Sequence, residues 1–242
     1  MEFPPKNPQQ AVHQSVMREV CFSVSDTPMV LKGGTALLLC YGLDRPSEDL
    51  DFDSSKKMGL ERRIGTALGK RYCINELKTL KDTDTVQRLR LNYSDLQTGI
   101  EGSLKIETSF REPPTPDQVV ARNGIQVYNI NRLFIQKTTA FYERTTARDL
   151  YDLSFILSKS SFLPEKDSLA RLRHDFGNPQ KFRELEQQFR QAFQIDPLLS
   201  GYDFDKVMLL LSERIDGAYR KYDALAISPH APQQGRKRGL KM

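Results

Sequence analysis

Met29-Val30-Leu31-Lys32-Gly33-Gly34-Thr35-Ala36-Leu37, followed after Gly42-Leu43 by Arg45-Pro46-Ser47-Glu48-Asp49-Leu50-Asp51-Phe52, is the stretch on which the fold of this chain turns. Met29 to Leu31 is a short apolar run of the kind that makes a buried strand, and the glycine pair ends it. Thr35 to Tyr41 is apolar almost all round, which predicts a buried helix; Gly42 stands where a C-cap glycine would close it. Leu43 to Ser47 reads as a loop. Glu48 to Phe52 then alternates, carboxylates on one side and Leu50 and Phe52 on the other, the pattern of a strand with one buried face.

Working outward, Met1 to Pro8 is a proline-rich arm, and Gln9 to Val24 has the spacing of an amphipathic helix with Val12, Val16 and Val20 on one face. Gly59 to Arg71 reads as a basic helix. Strand-like runs follow at residues 72–77, 86–93, 103–110 and 125–130, separated by turn residues at Asp82-Thr83-Asp84, Thr98-Gly99 and Pro113-Pro114-Thr115-Pro116. From Asn131 the pattern is helical: 132–143, 147–159, 166–174, 179–193 and 204–222. Strands followed by helices predict an α+β chain. The expected lobes are a mixed sheet with an N-terminal helix over 1–130 and a helical C-terminal lobe over 131–227. Residues 228–242, with Arg236-Lys237-Arg238, read as a disordered basic tail.

The chain has 242 residues, enough for a real core, with 38% apolar and 28% charged residues. Its longest apolar run is far too short to span a membrane, and Met1 to Gln10 lacks a signal pattern, so a cytoplasmic protein with no membrane partner is expected. Cys21, Cys40 and Cys73 offer neither a disulfide framework nor zinc spacing. His13, His174 and His230 are scattered, which sets aside a histidine triad. The net charge of +5 is compatible with a polyanionic partner.

Asp-x-Asp occurs three times, and context separates the copies. Asp82 and Asp84 lie in turn composition. Asp203 and Asp205 stand at a helix start, where capping and the dipole explain them. Only Asp49 and Asp51 lie in a strand alternation that puts both on one sheet face, where two carboxylates repel unless a cation joins them. Hard divalent cations take such oxygens. Upstream, Gly33 and Gly34 fall between a strand and a helix, where a phosphate can approach the backbone. Glycines for a triphosphate and carboxylates for its metal ions make the two halves of a nucleotide site. Asp53 extends the same face and is placed at the strand end; a register slip of two residues would make Asp51 and Asp53 the metal pair.

Lys32-Gly33-Gly34-Thr35-Ala36-Leu37, then Gly42-Leu43, then Arg45-Pro46-Ser47-Glu48-Asp49-Leu50-Asp51-Phe52 resembles the signature of the AbiEii/AbiGii toxin family of nucleotidyltransferases, which includes the MenT toxins. Lys137, Arg144 and Arg148-Asp149-Leu150-Tyr151-Asp152-Leu153 fit the same family in order, which raises the match above an isolated short motif. The resemblance implies a polymerase-beta-like nucleotidyltransferase lobe and Mg2+-dependent transfer of a nucleoside monophosphate from an NTP to an acceptor hydroxyl. Asp49 and Asp51 would bind two Mg2+ ions (or Mn2+), with Glu107 as a third ligand or as the base. Lys137 would contact the triphosphate, and Asp152 would complete the site. Gly33, Gly34, Thr35 and Ser47 belong to the nucleotide side; Lys32, Arg45, Asp53 and Asp149 stand one step further out.

Three readings follow for function. The first is the toxin of a toxin–antitoxin or abortive-infection system, made alongside a cognate antitoxin and acting on RNA, for example tRNA. The second is a nucleotidyltransferase with a small-molecule or protein acceptor. The third is a catalytically silent nucleic-acid-binding module of the same fold, against which the joint presence of Gly33, Gly34, Asp49, Asp51, Lys137 and Asp152 speaks.

Overall fold

The computed structural model describes residues 5–159 and 162–227. The predicted tail over 228–242 therefore lies outside the described residues, as do residues 1–4 of the N-terminal arm. Helix α1 (Pro8–Ser23) starts at Asn7, whose side chain accepts from the Gln10 N–H, and buries Val12, Val16, Met17, Val20 and Cys21 as its spacing predicts. Strand β1 (Met29–Lys32) runs into one helical turn, α2 (Gly33–Ala36).

The buried helix predicted from Thr35 to Tyr41 is not a plain α-helix. Leu37–Tyr41 is wound as a π-helix. The wide turn closes where Leu43 N–H donates to the Leu37 carbonyl at 3.0 Å, and Gly42 sits at φ +77°, the left-handed cap expected of it. Leu37 to Cys40 are all buried, so the segment is held by its surroundings rather than by one amphipathic face.

Strand β2 (Asp49–Ser54), helix α3 (Leu60–Leu68) and strands β3 (Tyr72–Asp82), β4 (Val86–Asp95) and β5 (Glu101–Ser109) follow. The predicted runs are present but longer, because β3–β5 form a meander paired along most of its length. Strand β6 (Val119–Arg122) was not predicted. Its residues are half-buried or exposed and show no alternation, yet Asn123-Gly124, both at positive φ, turns it back onto β7 (Ile125–Tyr128) as a two-residue hairpin.

The seven strands lie in the order β3-β4-β5-β2-β1-β7-β6. Strand β2 is central, antiparallel to β1 and parallel to β5, while β1 is parallel to β7. Helices α1 and α3 pack together. The chain then becomes helical: α4 (Ile130–Glu143), capped by Asn129, then α5 (Ala147–Leu157), α6 (Lys166–Gly177), α7 (Pro179–Ile195) and α8 (Phe204–Ile227). Helix α5 packs against α4 and α8, and α4 touches both β7 and the glycine turn of α2. That last contact sets a helical wall opposite the carboxylate strand. Among the described residues no helix is long and apolar enough to cross a membrane.

Candidate active site

Strand β2 buries Leu50 and Phe52 on one face and presents Asp49, Asp51 and Asp53 on the other, the arrangement its alternation predicts. The three carboxylates have different surroundings. Asp49 takes Lys105 Nζ at 2.5 Å. Asp53 lies within the strand and is buried, taking Lys32 Nζ at 2.6 Å and the Tyr128 hydroxyl at 2.9 Å. Asp51, between them, accepts no hydrogen bond and forms no ion pair among the described residues. Burial holds its carboxyl above the usual aspartate range; Asp49 and Glu107 push the same way, and Lys105 and Lys32 oppose them.

Glu107 is the β5 residue in register with Asp51, so it shares the face. One of its oxygens, Oε2, is held by Arg88 Nε at 2.7 Å and Nη2 at 2.6 Å. Glu107, expected as a third ligand or as the base, thus shares the face of Asp51 with one oxygen engaged by Arg88. Among the described residues no three His, Cys, Asp or Glu side chains gather as a metal cluster. The oxygen donors on this strand are Asp51, without a hydrogen bond among the described residues, and Asp49, whose Oδ2 is held by Lys105; such oxygens suit a hard divalent cation whose remaining ligands are phosphate or water.

The glycine turn lies directly above. Gly33 has φ +74°, and a Cβ there would stand 3.2 Å from Asp51 Oδ2. A Cβ on Gly34 would come within 2.7 Å of Arg45 Nη2. Gly33 is thus small because the carboxylate is close, and Gly34 because Arg45 is. Thr35 Oγ1 lies 2.5 Å from the Asp49 carbonyl and 2.7 Å from Ser47 Oγ, tying the turn to the start of β2.

Behind the turn is a buried ionic cluster. Arg45 Nε and Nη2 bind Asp152 Oδ1 and Oδ2 at 2.8 and 2.7 Å. Lys137 Nζ reaches Asp152 at 2.6 Å and Asp149 at 2.8 Å. Arg144 caps Asp149 from the solvent side at 2.9 Å. Burial raises the Asp152 carboxyl, but Arg45 and then Lys137 pull it below the usual aspartate range.

A cleft of about 540 Å³ separates the strand from helix α4. Lys32, Gly33, Asp51, Asp53, Glu107 and Lys137 line it, with Arg144 beside Lys137. Asp152, Asp149 and Arg45 do not reach it; they are buried behind Lys137. Asp152 is therefore a positioning residue in this geometry, acting through Lys137 and Arg45. Reading the sequence missed Lys105, Arg88 and Tyr128 as partners of the carboxylates. The alternation Leu104-Lys105-Ile106-Glu107 carried the signal for Lys105, but its partner depends on β5 lying next to β2.

With this geometry in hand, two solved structures compare closely. The crystal structure of JHP933 from Helicobacter pylori superposes with a TM-score of 0.84 and 32% identity, covering 91% of this chain and 96% of that one. A candidate nucleotidyltransferase from H. pylori gives 0.83 and 33%, covering 90% and 98%. No curated protein matches the sequence. The fold and the carboxylate strand define a polymerase-beta-like nucleotidyltransferase. Residues 15–224 match the model of the nucleotidyl transferase AbiEii toxin of type IV toxin–antitoxin systems, and the chain belongs to that family. An antitoxin is the partner that membership implies.

Proposed function

We propose that this toxin transfers a nucleoside monophosphate from an NTP to a hydroxyl of an RNA acceptor in the cytoplasm. The observation that carries the reading is the unpaired Asp51 carboxylate facing Lys137 and Arg144 across the cleft. A triphosphate set between them meets cations on the helical side and carboxylates on the strand. Asp49 and Asp51 would hold Mg2+ (two ions, or Mn2+), which supplies charge neutralisation at the reacting phosphate oxygens. Lys137, fixed by Asp149 and Asp152, meets the phosphates as a point charge. The positive φ of Gly33 lets the phosphates approach the backbone beside Asp51.

In the reaction the acceptor oxygen bonds to the α-phosphorus, the bond from that phosphorus to the bridging β-oxygen breaks, and pyrophosphate leaves. The acceptor proton goes to a carboxylate on the sheet face. Glu107 Oε1, which makes no hydrogen bond among the described residues while Arg88 holds Oε2, is the group for it.

The test incubates purified protein and total RNA with each α-32P-labelled NTP, in Mg2+ or in EDTA. Label on RNA, dependent on the metal and lost in Asp51→Ala, is the expected result. Label on protein or on a small molecule would move the acceptor to another class, and no label with any NTP would remove the enzymatic reading.

A further inference from the structure

The sheet face that carries Asp49 continues across three more strands, and its charges are arranged in a way folding does not favour. Lys78 of β3 is in register with Arg90 of β4, Arg90 with Lys105 of β5, and Lys105 with Asp49 of β2. These residues alternate with buried Leu89, Leu91, Leu104 and Ile106, so their side chains stand together on the open face. Like charges directly opposite one another on neighbouring strands destabilise a sheet. The next row shows the usual remedy: Arg88 of β4 faces Glu107 of β5, and the two are paired. In the first row only Lys105 has a partner, Asp49. Lys78 and Arg90 are exposed and make no hydrogen bond or ion pair among the described residues.

We infer that this row is a track for the phosphodiester backbone of the acceptor nucleic acid, leading it end-on to the carboxylate strand. Three cations stand on adjacent strands about 4.8 Å apart, so the row is roughly 14 Å long from Lys78 to Asp49. A polyanion lying along it neutralises the repulsion between Lys78 and Arg90 and delivers its terminus at Asp49 and Asp51. An acidic protein segment would satisfy the charges, but the row ends at the reacting groups, which favours the molecule that reacts. The inference rests on the RNA-acceptor reading above.

The test uses the full chain carrying Lys78→Ser and Arg90→Ser, both exposed and outside the cleft. Binding of a fluorescent single-stranded RNA is followed by anisotropy from 50 to 300 mM salt, with polyglutamate as the competing polyanion. Nucleotide transfer is measured alongside, and NTP binding is read by thermal shift. The double variant is expected to bind RNA at least tenfold more weakly, with the slope of log affinity against log salt reduced by about 1.4, two contacts at about 0.7 each on a single strand. Its KM for RNA rises, its NTP-induced thermal shift is unchanged, and its own melting temperature holds or rises. RNA transfer that persists with unchanged KM and salt slope overturns the track and leaves the function standing. If the wild type labels no RNA, the acceptor reading fails and the track as an acceptor path fails with it, even where the double variant loses RNA binding. If the pair abolishes polyglutamate binding and leaves RNA binding intact, the face is an acidic-protein surface and the track is wrong.

Discussion

Arg45 and Asp152 meet fork to fork, two hydrogen bonds of 2.8 and 2.7 Å between side chains that are 2% and 0% exposed. They join the loop that leads into the carboxylate strand to the helix that supports Lys137, so one contact fixes the distance between the two walls of the cleft. Removing one partner of a buried pair leaves the other uncompensated, which costs about 3–5 kcal/mol. Asp152→Ala, which leaves the Arg45 guanidinium buried without a carboxylate, is expected to lose that much in urea denaturation, and Arg45→Ala less, because Lys137 still pairs with Asp152. Arg45→Lys should recover little, since an ammonium cannot reproduce the bidentate fork. Because the folded Asp152 carboxyl is depressed, its contribution is present above the unfolded value near pH 3.9 and fades as pH falls below it. The stability gap between the wild type and Asp152→Asn should therefore be full at neutral pH and narrow below about pH 4.

Asp51 has the opposite sign. Its folded carboxyl titrates above the unfolded value, so its charge costs stability once pH rises through that window. Asp51→Asn is expected to abolish nucleotide transfer and, at neutral pH without divalent ions, to melt at the same temperature or higher. The gain should vanish well below pH 4. Mg2+ should raise the melting temperature of the wild type and leave the variant unmoved. An active Asp51→Asn protein, or one that Mg2+ stabilises as strongly as the wild type, contradicts the metal assignment.

The two glycines should fail for different reasons. Gly33→Ala forces an L side chain into φ +74° and sets its Cβ 3.2 Å from Asp51 Oδ2, a strain of about 1–2 kcal/mol at the mouth of the cleft. Its main loss is expected in NTP affinity. Gly34→Ala drives a methyl to 2.7 Å from Arg45 Nη2, and Arg45 is clamped by Asp152 and cannot swing away. Its main loss should be stability, and combining it with Arg45→Ala should give less than the sum of the two. Equal, additive losses in both variants would show that the turn has one undivided role.

The remaining Asp-x-Asp copies are controls. Asp203 accepts from the Lys206 N–H at 2.9 Å as the cap of α8, Asp205 pairs with Arg190 at 2.7 Å, and Asp82 pairs with Lys57 at 2.5 Å. Asp203→Ala should cost about 1 kcal/mol of stability and leave turnover at the wild-type level. Turnover as damaged as in Asp51→Asn would mean that strand context is the wrong criterion for choosing among the copies.

The part of this site that could be read in the sequence is the part set by local periodicity. A period of two placed Asp49 and Asp51 on one face with Leu50 and Phe52 beneath, and Gly42 marked the end of the apolar segment. The π-helical winding of Leu37–Tyr41 could not be read, since an all-apolar segment looks alike in either helix. Strand β6 lacked alternation, though the Asn123-Gly124 turn was a visible sign of the hairpin. The buried fork of Arg45 and Asp152 spans 107 positions and depends on how α5 packs. Its trace in the sequence was an aspartate set among Leu150, Tyr151 and Leu153, flanks that do not suit a solvated carboxylate. The partners of the strand carboxylates depended on sheet order, which puts β5 rather than β3 beside β2.

Lys137 is where support and chemistry meet, and its substitution should separate them. Lys137 lines the cleft, and its ammonium is held by Asp149 and Asp152, two carboxylates with almost no access to water. Lys137→Ala removes a charge-assisted phosphate contact and leaves those carboxylates to Arg144 and Arg45 alone. Both NTP affinity and stability should fall, the latter by several kcal/mol. The triple variant Lys137→Met, Asp149→Asn, Asp152→Asn, which removes the uncompensated anions together with the cation, should recover part of the stability without recovering transfer. Lys137→Arg keeps the charge but needs a planar arrangement of acceptors, so it should fold better than Lys137→Ala and still turn over slowly. The measurements are urea denaturation for stability and KM for the NTP against kcat for function. A Lys137→Ala protein that transfers nucleotide normally once stabilised would show that the lysine only supports the fold, and the phosphate contact would then pass to Arg144 at the rim of the same cleft.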